Sequence, residues 1–119
     1  MNSEHIESVL FSDWLKKNGY RFTKSPNETF TKSWNQKRKN KSEGVSPGFP
    51  DYTIILKRKS LLFIEMKKER GKKGGMNGSV ISDEQVEWVN ALDDVPNVSA
   101  CFAHGNKEAV EIVKRFESI

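Results

Sequence analysis

An aspartate, a glutamate and a lysine in this chain have the types and spacing for metal-assisted chemistry on phosphate. Asp51 follows Pro50 at the head of a β-rich run, 51–56. Glu65 and Lys67 close a second run, 61–67, directly after Leu61-Leu62-Phe63-Ile64. Alternate residues of a strand share a face, so Glu65 and Lys67 point the same way. A turn about residues 58–59 folds the two runs into a hairpin and brings Asp51 within a position or so of Glu65. Unpaired buried carboxylates cost several kcal/mol, so two of them together call for a cation. Oxygen donors select Mg²⁺ or Mn²⁺ over Zn²⁺. Held by Asp51 and Glu65, such an ion would present water as a nucleophile and stabilise charge on a phosphate. Lys67 would orient that water or stabilise the developing negative charge. Without a ligand, the same residues read as a turn aspartate and a surface ion pair worth about 0–1 kcal/mol. Their place at the end of the most apolar hairpin, between two basic loops, favours the metal reading.

The elements that must position these residues can be read along the chain. Ser3 is an N-cap for a helix over 3–17, with Ile6, Val9, Leu10 and Trp14 at helical spacing and Asn18-Gly19 as its stop. Residues 20–22 and 29–34 read as short extended pieces, and 35–47 as a basic loop, mobile without a partner. The hairpin follows, then a basic, glycine-rich loop over 68–79. Ser82 and Gln85 have capping-box spacing at the head of a helix over 83–93. Pro96-Asn97 turns the chain into a strand over 98–103. A last helix over 106–117 turns Ala109, Val110, Val113 and Phe116 inward. The order α-β-β-β-α-β-α predicts an α/β fold, a mixed sheet flanked by helices, in a single domain covering 1–119.

Charge is unevenly distributed. Residues 1–79 carry 17 Lys/Arg against 8 Asp/Glu, a net +9, whereas 80–119 carry 3 against 8, a net −5. A basic surface of that kind suits a polyanion. Lys37, Arg38, Lys39 and Lys41, beside Trp34, and Lys68, Arg70, Lys72 and Lys73 flank the acidic pair and are candidate phosphate contacts. Lys57-Arg58-Lys59, at the far end of the hairpin, is expected to be solvated or to touch outlying duplex. The glycines at 71, 74, 75 and 78 are not followed by G-K-[ST], which argues against a nucleotide P-loop. One cysteine, Cys101, excludes an internal disulfide framework and suits a reducing cytoplasm as a small core residue. Neither histidine, His5 or His104, has a ligand-spaced partner. No apolar run is long enough for a membrane span, and the first residues do not read as a signal peptide.

Three motifs in order also carry a family resemblance: Gly48-Phe49-Pro50-Asp51, Phe63-Ile64-Glu65-Met66-Lys67, and Ser82-Asp83-Glu84-Gln85-Val86-Glu87-Trp88. The sequence resembles the PD-(D/E)XK nucleases, and within them the compact stand-alone VRR-NUC proteins of bacteria and phages, over about residues 4–115. The resemblance implies a restriction-endonuclease-like core and Mg²⁺- or Mn²⁺-dependent hydrolysis of DNA. Asp51 and Glu65 match the metal-ligand carboxylates, the Met66 main-chain carbonyl a further ligand, and Lys67 the catalytic lysine. Gln85 matches a helix glutamine near the active site. A first-helix glutamate is also implied; Glu4 is preferred for it, with Glu7 the competitor one turn on. The resemblance further implies a homodimer acting on branched or otherwise structured DNA in the cytoplasm of a bacterial or phage-infected cell. The acidic C-terminal part, with Trp88, Val110 and Phe116 among its apolar residues, is expected to face away from DNA or to form the dimer interface. The alternative is a catalytically silent DNA-binding accessory protein on the same fold.

Overall fold

The expected element order is observed in a computed structural model that describes residues 3–25, 42–71 and 80–118. The elements are α1 (Glu4–Lys17), β1 (Arg21–Lys24), β2 (Tyr52–Ile55), β3 (Leu61–Lys67), α2 (Asp83–Asp93), β4 (Val98–His104) and α3 (Asn106–Glu117). The extended piece expected over 29–34 lies outside the described residues. The sheet runs β1-β2-β3-β4; the first two pairings are antiparallel, and β3 with β4 is parallel, across the α2 crossover.

Alternation divides β3 between two layers. Leu62, Ile64 and Met66 face α1 and α3 and join Phe11, Leu15, Tyr52, Ile54 and Val113 in the main core. Phe63 faces α2 and packs with Val89 and Ala100 in a smaller cluster, with Leu61, Leu92, Val98 and Phe102 at its margin. Burying a large aliphatic side chain contributes about 1.5–3 kcal/mol, so most of the apolar stabilisation lies on the α1/α3 side.

Helix α1 differs from the expected face. Ser3 caps it as expected, its hydroxyl accepting from the Ile6 N–H at 3.2 Å. The buried residues, however, are Glu7, Ser8, Phe11 and Leu15, while Ile6, Val9 and Leu10 are exposed. Phe11 and Leu15 enter the main core on this face, and polar partners flank them. The Tyr52 hydroxyl donates to the Ser8 carbonyl at 2.9 Å and lies 2.8 Å from the Ser12 hydroxyl. The Glu7 carboxylate accepts from the Asn106 backbone N–H at 2.9 Å and from its side-chain amide at 3.0 Å, at the head of α3. Gly105 lies at φ +94, where an added Cβ would come 2.8 Å from that carboxylate.

Lys57, Arg58 and Lys59 are exposed, as the sequence suggested, and the turn they form is also anchored. The backbone N–H groups of Lys57 and Arg58 donate to the Glu117 carboxylate, and Arg58 donates to the Phe116 carbonyl. The Lys57 ammonium donates to the Asn18 carbonyl at 2.7 Å and lies 4.6 Å from the centre of the Tyr20 ring. The hairpin tip thus fastens the ends of α1 and α3. Among the described residues no helix is long and apolar enough to cross a membrane.

Candidate active site

β2 stops at Tyr52, opposite Ile64, while β3 continues through Lys67. That leaves the last residues of β3 with no strand on the β2 side among the described residues. Asp51 occupies the gap: its Oδ2 accepts from the Met66 N–H at 3.0 Å, so a carboxylate replaces the missing ladder partner. Within a strand, N–H and C=O of one residue face the same side. The Met66 carbonyl therefore shares the side on which Asp51 sits.

Extending the β2–β3 register by one residue sets Asp51 across from Glu65, as the hairpin spacing predicted. Both are about 5% exposed, and Lys67 is 6% exposed. The two carboxyls hydrogen-bond each other. Burial raises the Asp51 carboxyl above its ordinary value, against the opposing Met66 N–H bond. Burial and then the Asp51 charge push Glu65 up to about 8. Two acids held this close in low dielectric keep a proton between them unless a cation replaces it.

Helix α2 supplies the third side. Its capping box is complete: the Ser82 hydroxyl accepts from the Gln85 N–H at 3.2 Å and the Gln85 Oε1 from the Ser82 N–H at 3.0 Å. The same Oε1 accepts from the Lys67 ammonium at 2.9 Å, and the Gln85 Nε2 donates to the Glu65 Oε2 at 3.2 Å. The cap therefore fixes the amide's orientation, and the amide bridges lysine and glutamate. Lys67 also donates to the Val80 carbonyl at 2.7 Å and lies 3.8 Å from the Glu65 Oε2.

Glu4, at the head of α1, is half-buried; burial and then the Asp51 charge raise its carboxyl, while Lys67, Lys24 and Lys68 oppose the rise. It shares the electrostatic field of the acidic pair without closing a cage, since among the described residues no three His, Cys, Asp or Glu side chains are grouped closely enough to hold an ion. Glu7, its competitor, is engaged at the head of α3. The structure thus brings Asp51, Glu65, the Met66 main chain, Lys67 and Gln85 together, with Glu4 beside them. Lys37, Arg38, Lys39, Lys41, Lys72 and Lys73 lie outside the described residues. Lys68 is exposed just past β3, and Arg70 pairs with Glu108.

Two contributors were not found from sequence. Lys24, at the end of β1 opposite Tyr52, opposes the rise of the Asp51 and Glu4 carboxyls, yet stands in no motif. His104 is the parallel partner of Lys67 on β4. Its ring donates to the Lys68 carbonyl, its Nδ1 is buried without a partner among the described residues, and burial and then Arg70 lower its pKa. Burial pushes the Cys101 thiol up to about 11, which suits the core role expected of it.

The buried acids fit a hard divalent cation. Asp51 and Glu65 offer oxygen donors side by side, the Met66 carbonyl lies on the same side, and the pair otherwise retains a proton. The α-β-β-β-α-β-α mixed sheet has the restriction-endonuclease-like fold expected from the sequence. A solved structure described as a "VRR_NUC domain protein" has this fold, with a TM-score of 0.74 and 19% identity, covering 99% of this chain and 90% of that one. The chain thus has the VRR_NUC fold over nearly its whole length. No protein-family model matches the chain. No curated protein matches it either.

Proposed function

We propose that the protein is an Mg²⁺- or Mn²⁺-dependent endonuclease that hydrolyses DNA phosphodiester bonds, selects branched or junction DNA, and works as a homodimer in the cytoplasm. The observation that carries this reading is the buried Asp51–Glu65 pair with Lys67 two residues on, set on a VRR_NUC fold. Asp51, Glu65 and the Met66 carbonyl would hold the ion, with Glu4 beside them. When bound, the ion would supply charge neutralisation at the phosphate and acidify water at neutral pH.

Lys67 donates to two acceptors, the Val80 carbonyl and Gln85, and pairs with Glu65 at 3.8 Å, so its ammonium sits at a fixed point beside the acids. From there it stabilises negative charge developing on the phosphate or orients the attacking water. Gln85 donates to the Glu65 Oε2 and so restricts rotation of that carboxylate. Exposed Lys68, with Lys37, Arg38, Lys39, Lys41, Arg70, Lys72 and Lys73, would grip the backbone without reading sequence, so binding should weaken steeply with salt. The homodimer reading is supported by the outer edge of β4, unpaired among the described residues, and by exposed Ile6, Val9 and Leu10 on α1.

The test is a panel of linear, flap, bubble and four-way-junction DNA with Mg²⁺, Mn²⁺ or chelator. Cleavage is expected with metal only, and Asp51→Ala or Glu65→Ala should lower its rate by roughly 10²-fold or more while circular dichroism stays unchanged. Equal cleavage by these variants would overturn the site. DNA binding without cleavage in either metal would identify a silent binding module. Sedimentation showing only monomer at working concentration would remove the homodimer.

A further inference from the structure

Gly48 is the one described glycine whose missing side chain is pressed against main chain of the candidate site. It lies at φ +93, and a Cβ there would come 2.7 Å from the Glu84 carbonyl carbon and 2.8 Å from both the Gln85 backbone nitrogen and the Glu84 Cβ. No rotamer relieves a collision with backbone, so a side chain at 48 must move either the 48–51 segment or the first turn of α2. Those two pieces carry Asp51 and Gln85, the two groups that bear on Glu65 from β2's leading segment and from α2. The Gln85 nitrogen that the Cβ would strike is the one donating to Ser82 in the capping box. Phe49 adds a second hold on the same seam. Its ring meets Trp88 of α2 edge-on at 5.0 Å and Phe63 of β3 at 5.6 Å, which braces the segment between helix and sheet.

We propose that Gly48 is a positioning residue: by lacking a Cβ it lets the Asp51 segment lie directly on the first turn of α2, and so sets the Gln85 amide between Lys67 and Glu65. The inference rests on the nuclease reading for its kinetic consequence, but not for its structural one. Gly44 provides the control. It lies at φ +91 with nothing within 4 Å of an added Cβ, so Gly44→Ala carries the same backbone strain without the collision.

The experiment compares Gly48→Ala, Gly44→Ala, Gln85→Ala and the Gly48→Ala/Gln85→Ala double variant in the full chain. The first readout is solvent exchange of the Gln85 side-chain amide by nitrogen-15 NMR. Protection should be lost in Gly48→Ala and kept in Gly44→Ala. The second is steady-state cleavage. Gly48→Ala should lower kcat on the order of 10-fold to 100-fold with KM for DNA within about twofold, because an error near 1 Å at the site is enough for that loss. Gly44→Ala should stay within about twofold of wild type on both constants, and Gln85→Ala should add no more than about twofold on top of Gly48→Ala, since the two changes remove the same arrangement. Retained amide protection in Gly48→Ala, or losses that multiply independently in the double variant, would overturn the proposal. If the wild-type chain cleaves no DNA, the nuclease reading falls, and the exchange measurement still decides the role of Gly48.

Discussion

On the α1/α3 side of β3, Leu62, Ile64 and Met66 are fully enclosed by Phe11, Leu15 and Val113. On the α2 side the same strand presents Phe63 to Val89 and Ala100 and then gives way to Glu65 and Lys67. The two sets of residues interleave, one position apart. A slip of one residue in the β2–β3 register would place both charges in the main core and three apolar side chains at the site. The apolar face therefore fixes the register, and the register aims the acids. The α2 side can hold buried charge because the other side carries most of the stability.

The largest expected effect tests that division directly. Ile64→Ala should cost about 2–5 kcal/mol in chemical denaturation, because it opens a void in the enclosed core. Val89→Ala, on the α2 side, should cost roughly 1–2 kcal/mol, since it removes less surface from a smaller cluster. Equal costs, or the reverse order, would mean that the two faces share the stability and that the comparison is wrong.

A second, smaller effect has the opposite sign. Glu65 has a folded pKa near 8, above the ordinary 4.5, so the native state binds more protons than the unfolded one between those values. The stability this group contributes is complete below pH 4.5 and is lost as pH rises through about 8. Metal-free Glu65→Gln should therefore melt a few degrees higher than wild type near pH 9, and the gap should close toward pH 5. Thermal unfolding across that range checks it, with the shift assigned to the Asp51–Glu65 pair as a unit. A destabilised Gln variant at pH 9 would show that the acids are not strained by burial. The same variant should lose cleavage, so stability and activity move apart at one position, as expected for a site built against the folding preference.

How much of this was legible in the sequence follows from how local each signal is. The hairpin, Asp51 opposite Glu65, and the Ser82–Gln85 cap depend on spacings of a few to about fifteen residues, and all were readable. The face of α1 was not. Hydrophobic periodicity favoured Ile6, Val9 and Leu10, but the buried face pairs Glu7 with Asn106, 99 residues away, and Ser8 with Tyr52, 44 residues away. A buried glutamate whose partner is a distant backbone N–H leaves no local pattern. The exposure of Lys57 and Arg58 was legible, but the anchoring of their backbone was not, because its partner, Glu117, lies at the other end of the chain. Gly48 was visible as a motif glycine, but its function depends on how closely α2 approaches.

The smallest expected effect belongs to that distant latch and sharpens the comparison from the other side of the sheet. Burial alone would raise the Glu117 carboxyl, but donation from the Tyr20 hydroxyl at 2.8 Å and from the Lys57 and Arg58 N–H groups more than offsets it, and its pKa is lowered. The Tyr20 hydroxyl, with its own pKa raised to about 12 by burial and by Glu117, stays a donor over the whole working range. A depressed folded pKa contributes stability that is present above pH 4.5 and lost as pH falls through the folded value. The carboxylate is largely solvent-screened, so Glu117→Gln should cost no more than about 1 kcal/mol at pH 7, and less as pH falls through the folded value. Because the latch ties α1 and α3 to the hairpin tip, at the opposite end of β3 from Lys67, cleavage by Glu117→Gln should match wild type wherever both are folded. A fall in cleavage with the fold intact would show that the hairpin tip communicates with the acids along β3, and the division of labour between the two faces would then have to be redrawn.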